Sequence, residues 1–402
     1  MKHPCHHNTE QAFANQEPDR VLFQTCTVIQ EREMDKKYRI FVINPGSTST
    51  KLAYFENEDK KFETNVFHDA PELAGFGSVS NQSGFRKQII KDFLEENGID
   101  LSGADAIVGR GGSSASVSSG VYEINDKLIE DTVNNVSGVE HPANLGVPLA
   151  AELAAEYGAR AFMVDSPKTD EFCDEARITG IDGLYRVSSL HVLNLRGTAR
   201  LWCKEHGRRY EDSGLIVCHI DGGMSVSAHD HGRMIDGTNN AWGEGPFTPT
   251  RTGELPAYLA AEYFRDKDPQ DLMDACTRSG GFVSHFGTSD SDKVHAMAES
   301  GDEKAALVWN AMIYNICKSI GSMAAVLSGD VDAVICGGGL LRFEDIRRGI
   351  EERCSFIAPV YFYPGEVEHE AMAAGALRVL CGEEEPLVYT GEPVWSGFVS
   401  RQ

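Results

Sequence analysis

Two turns that lie far apart in the chain carry residue types suited to holding phosphate groups. The first turn, residues 44–49, follows the apolar run 40–42, and the second, residues 221–225, follows the apolar run 215–218. Each turn begins with Asn or Asp, bends at glycine and continues with hydroxyl residues. Backbone N–H groups can approach phosphate oxygens there, because glycine has no Cβ in the way. The spacing of 221 − 44 = 177 residues indicates a duplicated domain.

A third glycine run, residues 337–339, follows a strand-like segment at 331–335. Two glycine hairpins that face each other would bind the phosphates of a nucleotide, and the third run would lie beside its base and ribose. The pattern therefore predicts a nucleotide cleft.

Composition narrows the class of protein. A chain of 402 residues fits two domains better than one core. The net charge of -24 makes nucleic-acid binding improbable, and no apolar run is long enough for a membrane span. The ten cysteines form no C-x-x-C pair and no Cys/His metal spacing, which is typical of reduced, buried thiols in a cytoplasmic protein.

Residues 1–33 differ from the rest of the chain. They hold three of the thirteen histidines and lack regular periodicity, whereas residues 34–38 resemble a natural start. Metal binding by these histidines is one interpretation. A disordered or non-native N-terminal extension is the interpretation that the composition favours.

Strand-like and helix-like segments alternate along the chain, which predicts an α/β fold with function at strand ends. Strands are expected at residues 39–44, 51–56, 104–108, 161–164, 215–220, 225–229 and 331–335. Helices are expected at residues 85–96, 147–157, 305–326 and 370–380, the third with an apolar face of Leu307, Trp309, Ile313, Ile316 and Ile320. A serine-rich stretch at 113–119 is either a mobile lid or a plain surface loop.

An ordered series of motifs resembles the acetate kinase family of the actin-like ATPase superfamily, and within it butyrate kinase and branched-chain fatty acid kinases. The motifs are VINPGSTSTK (42–51), VGRGG (108–112), HPANLG (141–146), VDSP (164–167), SLH (189–191), HIDGG (219–223), GPFTPTRTG (245–253) and GGGL (337–340). The resemblance implies duplicated ribonuclease H-like domains around a nucleotide cleft. We expect domain I at 34–175, with 365–402 returning to it, and a nucleotide-binding domain II at 176–364.

The resemblance also implies the reaction and its partners. The family transfers a phosphoryl group between ATP and a short carboxylic acid with Mg²⁺, giving ADP and an acyl phosphate, and is usually dimeric or larger. Butanoate or a branched C4–C5 acid is the expected substrate, with acetate or propionate as the alternative. A sugar kinase would need a catalytic Asp and polar groups for hydroxyls, and an ATP-driven switch would need a peptide-binding domain or long insertions.

Four residues match the family's catalytic set. Arg110 and Arg251 lie beside glycines and would grip a carboxylate or the moving phosphoryl group, although either could instead be a surface or domain-clamping arginine. Asp165 is expected to bind Mg²⁺ or position the substrate, or else to cap a helix. A strong base is unnecessary, because a carboxylic acid is already ionised at neutral pH. His191 is expected to contact the transferring group.

Other family positions are expected to bind the nucleotide. They are Asn44, Gly46, Ser47, Ser49, Lys51, His219, Asp221, Gly222, Gly223, Gly337, Gly338 and Gly339. His219 could equally be a core histidine, and His141 is expected to have a structural or positioning role. Most acetate kinases have Asn where this chain has Asp221, a departure that fits butyrate kinases and places a carboxylate near the phosphates.

Two further features of the sequence concern the family's late acidic residue and its acyl pocket. Glu366 and Glu368 both fall near the family's late acidic position. Glu366 is assigned, together with Asp165, to Mg²⁺ binding. The resemblance implies an acyl pocket beside Arg110, in a region where acetate-specific members have a valine that narrows it, whereas Gly111 and Gly112 follow Arg110 here. The missing side chain predicts room for the methylenes of a C4 acid, each worth roughly 0.8 kcal/mol when buried.

Overall fold

The computed structural model describes residues 36–398 and contains two sheets with the same core order. The strands are β1 Arg39–Pro45, β2 Ser49–Glu56, β3 Asp59–Phe67, β4 Ala106–Gly109, β5 Val121–Glu123, β6 Arg160–Val164, β7 Gly214–Ile220, β8 Met224–Asp230, β9 Arg233–Gly237, β10 Ala333–Gly338, β11 Val360–Pro364 and β12 Leu387–Val388. The predicted disordered or non-native extension at 1–33 lies outside the described residues.

The first sheet has the order β12-β5-β6-β4-β1-β2-β3 and the second has the order β11-β10-β7-β8-β9. In each, three antiparallel strands (β1-β2-β3 or β7-β8-β9) are followed by two strands parallel to the first (β4 and β6, or β10 and β11). Strands β5 and β12 extend only the first sheet. The repeated order confirms the predicted duplicated α/β fold. The domain boundaries at residues 175 and 364 stay a prediction.

Helices cover both sheets. They are α1 Ala70–Ala74, α2 Ser83–Glu96, α3 Asp126–Val133, α4 Gly146–Tyr157, α5 Asp174–Arg177, α6 Val192–Glu205, α7 Ala257–Tyr263, α8 Pro269–Asp274, α9 Gly281–Phe286, α10 Ser291–Glu299, α11 Glu303–Val326, α12 Glu344–Cys354 and α13 Glu368–Leu380. No helix in the described part of the chain is both long and apolar enough to cross a membrane.

Two of these helices, α13 and α6, begin close to the two turns that the sequence predicts to hold phosphates. Helix α13 packs its apolar face, including Met372 and Ala376, on the first sheet. Helix α6 packs Leu195 and Ala199 on the second sheet, and the two helices contact each other. The start of each helix thereby faces the region between the turn that joins β1 to β2 and the turn that joins β7 to β8.

The predicted elements agree with the structure to within a few residues, with two corrections. Leu307 is 70% exposed, because it lies two residues, about 200° of helix rotation, from the buried Trp309. The serine-rich stretch is not a plain surface loop: Ser113 and Ser114 are buried, and the backbone of Val117 bonds with Lys168 and Asp170, whereas a role as a lid stays a prediction. Five of the eight cysteines in the described range are buried, among them Cys218, Cys317 and Cys336, as expected.

Candidate active site

A cavity of about 380 Å³ lies between the β1–β2 and β7–β8 turns. Both turns, the start of α6 and the start of α13 contribute to it. Its lining residues are Asn44, Pro45, Gly46, Ser47, Lys51, Arg110, His141, His191, Asn194, His219, Asp221, Gly222, Gly223, Glu366 and Glu368. The structure therefore brings together most of the residues that the sequence placed in a cleft.

The first turn is closed by its own backbone. The N–H of Gly46 donates to the carbonyl of Ser49 over 2.7 Å. Ser47 lines the cavity, whereas Ser49 is buried at the start of β2. Lys51 forms an ion pair with Glu366 over 2.9 Å, with both side chains about 40% exposed. This leaves Gly46, Ser47 and Lys51 as the groups of this turn that face a ligand.

The second turn is tied to the glycine run by a carboxylate. Asp221 accepts from the N–H of Gly222 through Oδ1 and from the N–H of Gly339 through Oδ2, each over 2.7 Å. Gly338 has a φ of 117°, and a Cβ on it would lie 2.3 Å from the carbonyl oxygen of Ile220. Only glycine fits there.

A second cavity of about 350 Å³ shares Asp221 and Gly222 with the first and extends along Thr250, Ser291 and Leu340. The two cavities therefore meet at Asp221 and Gly222. Gly337, Gly338 and Gly339, which were predicted to bind the nucleotide, line neither cavity, although the N–H of Gly339 bonds to Asp221, which lines both.

Arg110 lines the larger cavity. Its Nη1 donates to Oε2 of Glu368 over 2.5 Å and to Oδ1 of Asn44 over 3.2 Å. Glu368 also accepts from Nδ2 of Asn44 and from Nδ2 of Asn194. Burial alone would raise the pKa of Glu368, but the charge of Arg110 and the Asn44 hydrogen bond outweigh it and leave that pKa lowered. The carboxylate is therefore ionised and orients Arg110.

Three histidines surround this arginine. The rings of His191 and His219 lie 4.5 Å apart, and Nδ1 of His191 is 2.9 Å from the hydroxyl of Ser225. Burial lowers the pKa of His191, His219 and His141, and the charge of Arg110 lowers each further. All three imidazoles are neutral near pH 7. With Nδ1 of His191 held by Ser225, its Nε2 is the nitrogen left for a ligand.

Arg251 lines neither cavity but lies close to Gly223, which lines the larger one. A Cβ built on Gly223 would lie 2.8 Å from Nη1 of Arg251 and 3.0 Å from Nε2 of His191. Burial lowers the pKa of Arg251. The Nε atoms of Arg110 and Arg251 are buried and have no hydrogen-bond partner within residues 36–398. Neither guanidinium group therefore has all of its N–H donors paired within this part of the chain.

Asp165 is placed differently. It has a positive φ of 41°, is 3% exposed, and forms an ion pair with Nε of Arg196 over 2.9 Å while accepting from the N–H of Gly120. It does not line the cavity between the turns. A role in binding Mg²⁺ stays a prediction, and the geometry favours an indirect one, through the position of Arg196 on α6.

Magnesium fits the carboxylates that do line the cleft. No group of three or more His, Cys, Asp or Glu side chains is arranged as a metal site in residues 36–398. Mg²⁺ usually takes only one or two protein carboxylates and completes its shell with water and phosphate oxygens. Asp221, Glu366 and Glu368 supply such oxygens, so the donor set suits a metal that arrives with a nucleotide.

Three residues of the site differ from what the sequence predicts. The room expected at Gly111 and Gly112 is filled: a Cβ on Gly112 would lie 2.6 Å from the backbone of Asn144, and one on Gly111 would lie 2.9 Å from the sulfur of Met163. The volume argument for a C4 acid is therefore wrong at these positions. Asn194 was missed, although its i+3 spacing from His191 places both on one side of the start of α6.

The architecture comes first: a duplicated sheet with two facing turns is the actin-like ATPase fold. Residues 196–348 match the model of the Acetokinase family. The chain is also similar to a solved acetate kinase from Porphyromonas gingivalis, with 18% identity over 85% of this chain and 99% of that chain and a TM-score of 0.70. It is similar to a solved acetate kinase from Entamoeba histolytica, with 14% identity over 84% of this chain and 98% of that chain and a TM-score of 0.67. A solved propionate kinase from Francisella tularensis is similar with 18% identity over 84% of this chain and 98% of that chain, and its TM-score is 0.66. These matches confirm the resemblance to the acetate kinase family, whereas a special closeness to butyrate kinase stays a prediction.

Proposed function

We propose that the protein is a carboxylate kinase, which transfers the γ-phosphoryl group of ATP reversibly to a short-chain fatty acid. The observation that carries this is the pair of guanidinium groups of Arg110 and Arg251, which both lie close enough to His191 for their charges to add to burial in lowering its pKa. Two such forks suit an anionic acceptor and a charged transferring group. A neutral sugar hydroxyl would need neither.

The chemistry asks little of a base. The acid is ionised at neutral pH, so its oxygen can attack the γ-phosphorus directly while the bond to the β-phosphate oxygen breaks. Arg110 holds the acid, because Glu368 and Asn44 fix its guanidinium in one orientation. Arg251 and Nε2 of His191 then stabilise the charge on the transferring group, in a site where burial strengthens each interaction.

The nucleotide phosphates would lie against Gly46, Ser47 and Lys51 on one side and Gly222 and Gly223 on the other. The base and ribose would occupy the smaller cavity beyond Asp221. Mg²⁺, when bound, would neutralise phosphate charge, with Asp221, Glu366 and Glu368 as the oxygen donors that could hold it or its waters.

Butanoate or a branched C4–C5 acid is the preferred substrate in this proposal, supported by the motif series and by Asp221 in place of Asn. The glycine pair no longer supports it. Acetate and propionate form the second candidate, because the similar solved structures are named as kinases of those acids.

The test is a panel of linear C2–C6 acids, isobutyrate and isovalerate, with ATP and Mg²⁺ and hydroxylamine to trap acyl phosphate. Turnover that is highest for a C4 or C5 acid supports the full proposal. Highest turnover with acetate or propionate keeps the carboxylate kinase and removes the chain-length assignment. ATP hydrolysis without any hydroxamate, or phosphorylation of sugars only, would contradict both. A homodimer or larger assembly and a cytoplasmic location stay predictions.

A further inference from the structure

A buried arginine lies directly behind the first turn, outside the cavity lining. Arg86, on α2, is 0% exposed, and its guanidinium reaches the beginning of β2. Its Nη1 donates to the carbonyl of Ser49 over 3.0 Å and to the hydroxyl of Thr50 over 3.2 Å. Its Nε and Nη2 donate to Oε1 of Gln82 over 3.1 Å and 3.0 Å. All of these acceptors are neutral.

No carboxylate within residues 36–398 pairs with this guanidinium. Burying a charge without a counter-ion is costly, and arginine is almost never fully buried without one. Burial lowers the pKa of Arg86 to about 10, so the group stays charged near pH 7. The neighbouring His68 does not balance it: burial and the charge of Arg86 lower the pKa of His68 to about 4.

The contacts of Arg86 converge on the turn itself. The carbonyl of Ser49 that accepts from Arg86 is the same one that accepts from the N–H of Gly46 and closes the turn. The hydroxyl of Thr50 also contacts Nε2 of His68 over 2.8 Å, and the backbone of His68 bonds to Thr48. Arg86 therefore fixes the turn from behind and places a positive charge under it.

We propose that Arg86 is a positioning residue for the first turn and that its missing counter-ion is the phosphate chain of the bound nucleotide. This rests on the proposed function only in taking ATP as the ligand. The turn lies between the guanidinium and the cavity, so the charge acts through protein, where salt screens it little. Its effect should therefore grow with the number of phosphates and persist at high ionic strength.

The experiment measures binding of adenosine, ADP and ATP with Mg²⁺ by calorimetry in the full chain, at 0.05 and 0.5 M NaCl. Arg86→Met should weaken the affinity for ATP about tenfold, the affinity for ADP by less than that, and the affinity for adenosine by less than twofold. The loss of ATP affinity should be the same at both salt concentrations. Arg86→Lys keeps the charge but loses the fork, and should bind ATP within about threefold of the parent. Lys87→Met is the matched control, because it removes a charge from the next residue of α2, where Lys87 pairs with Glu152 near the surface.

Equal ATP affinity in folded Arg86→Met and the parent would overturn the proposal, as would equal losses for ATP and adenosine, which a merely structural role would give. If Arg86→Met does not fold, Arg86→Lys is the deciding variant. A loss of ATP affinity in Arg86→Lys well beyond threefold, with adenosine affinity reduced equally, would overturn the proposal. A parent that binds ATP but phosphorylates no acid would contradict the carboxylate kinase and leave this test intact. A parent that binds no nucleotide would contradict both.

Discussion

At the scale of single residues, the centre of the site is an arginine held by a buried carboxylate. Glu368 receives hydrogen bonds from Arg110, Asn44 and Asn194, which join the first sheet, α6 and α13 at one point. The carboxylate is buried and ionised because its partners outweigh the cost of burial. The orientation of Arg110 therefore depends on a residue far away in sequence.

Arg110→Ala should lower kcat/KM for the acid at least about 100-fold and also destabilise the fold by about 3 kcal/mol. The first loss follows from removing a charge-assisted grip on the acid, and the second from leaving Glu368 buried without its cation. Acyl hydroxamate formation and urea unfolding measure the two effects. The double variant Arg110→Ala/Glu368→Gln should recover stability but not activity. Near-normal turnover of folded Arg110→Ala would place this arginine outside the reaction.

Arg251→Ala tests the other guanidinium. It should reduce kcat more than KM for the acid, because Arg251 lies against His191 and Gly223 where the transferring group would pass. Since Arg251 has no carboxylate partner in the described range, its loss should change the urea midpoint little. A variant that only raises KM for the acid would show that Arg251 binds substrate and does not act in the transfer step.

The two late glutamates separate by their surroundings. Glu368→Gln should reduce kcat/KM strongly, by about 100-fold, because it frees Arg110 and Asn44 from their common acceptor. Glu366→Gln should cost at most about threefold, because the residue forms a half-exposed pair with Lys51, and such pairs contribute little. Titrating Mg²⁺ for both variants shows which carboxylate assists the metal. A larger loss of kcat/KM in Glu366→Gln than in Glu368→Gln would show that Glu366 is the more important of the two carboxylates.

At the scale of elements, most of the site was predictable because short-range chemistry fixes it. Apolar runs that end in Asn-Pro-Gly or Asp-Gly-Gly predict strand, turn and strand, and the structure has β1–β2 and β7–β8 at those places. What lies beside a glycine was not predictable. Gly112 packs on Asn144, which is 32 residues away in sequence, so its missing side chain makes room for backbone and not for substrate.

Gly112→Ala should therefore destabilise the protein by about 2–3 kcal/mol and leave the order of preferred acids unchanged, since the new methyl group meets the backbone of Asn144. Chemical unfolding and the acid panel are the measurements. Gly84→Ala is the control: it lies in α2 with nothing within 4 Å of an added Cβ, so stability should stay equal or rise. A stable Gly112→Ala variant with a shifted preference toward acetate would restore the volume argument.

At the scale of the whole molecule, the duplication was readable from the spacing of the two turns, whereas the meeting of α6 and α13 between the sheets was not. Helix periodicity predicts which face of a helix is buried but not which helix it meets. The same limit hid Arg86, because its neutral, buried surroundings arise only when α2 packs behind β2. It also hid the pair of Asp165 with Arg196, which leaves that aspartate outside the cavity lining.

Buried neutral histidines should make the whole fold sensitive to mild acid. Burial lowers the pKa of His229 to about 3 and that of His68 to about 4, both below the usual 6.5. His229 is held between the hydroxyls of Tyr210 and Ser227. Between pH 6.5 and about 4 the unfolded chain binds protons at these positions that the folded chain does not bind. Stability is therefore highest above pH 6.5 and falls as the pH drops.

Each such histidine should remove roughly 1.4 kcal/mol per pH unit across that window. Urea unfolding at pH 7.5, 6.5, 5.5 and 5.0 measures the slope, and this range lies above the pH at which most carboxylates titrate. Loss of the net charge of -24 on acidification acts in the opposite direction, by relieving repulsion, so the comparison needs a variant. His229→Gln keeps a polar side chain without the titration, and its slope should be lower by roughly 1.4 kcal/mol per pH unit. Identical slopes in the parent and His229→Gln would show that His229 already takes up its proton in the folded state.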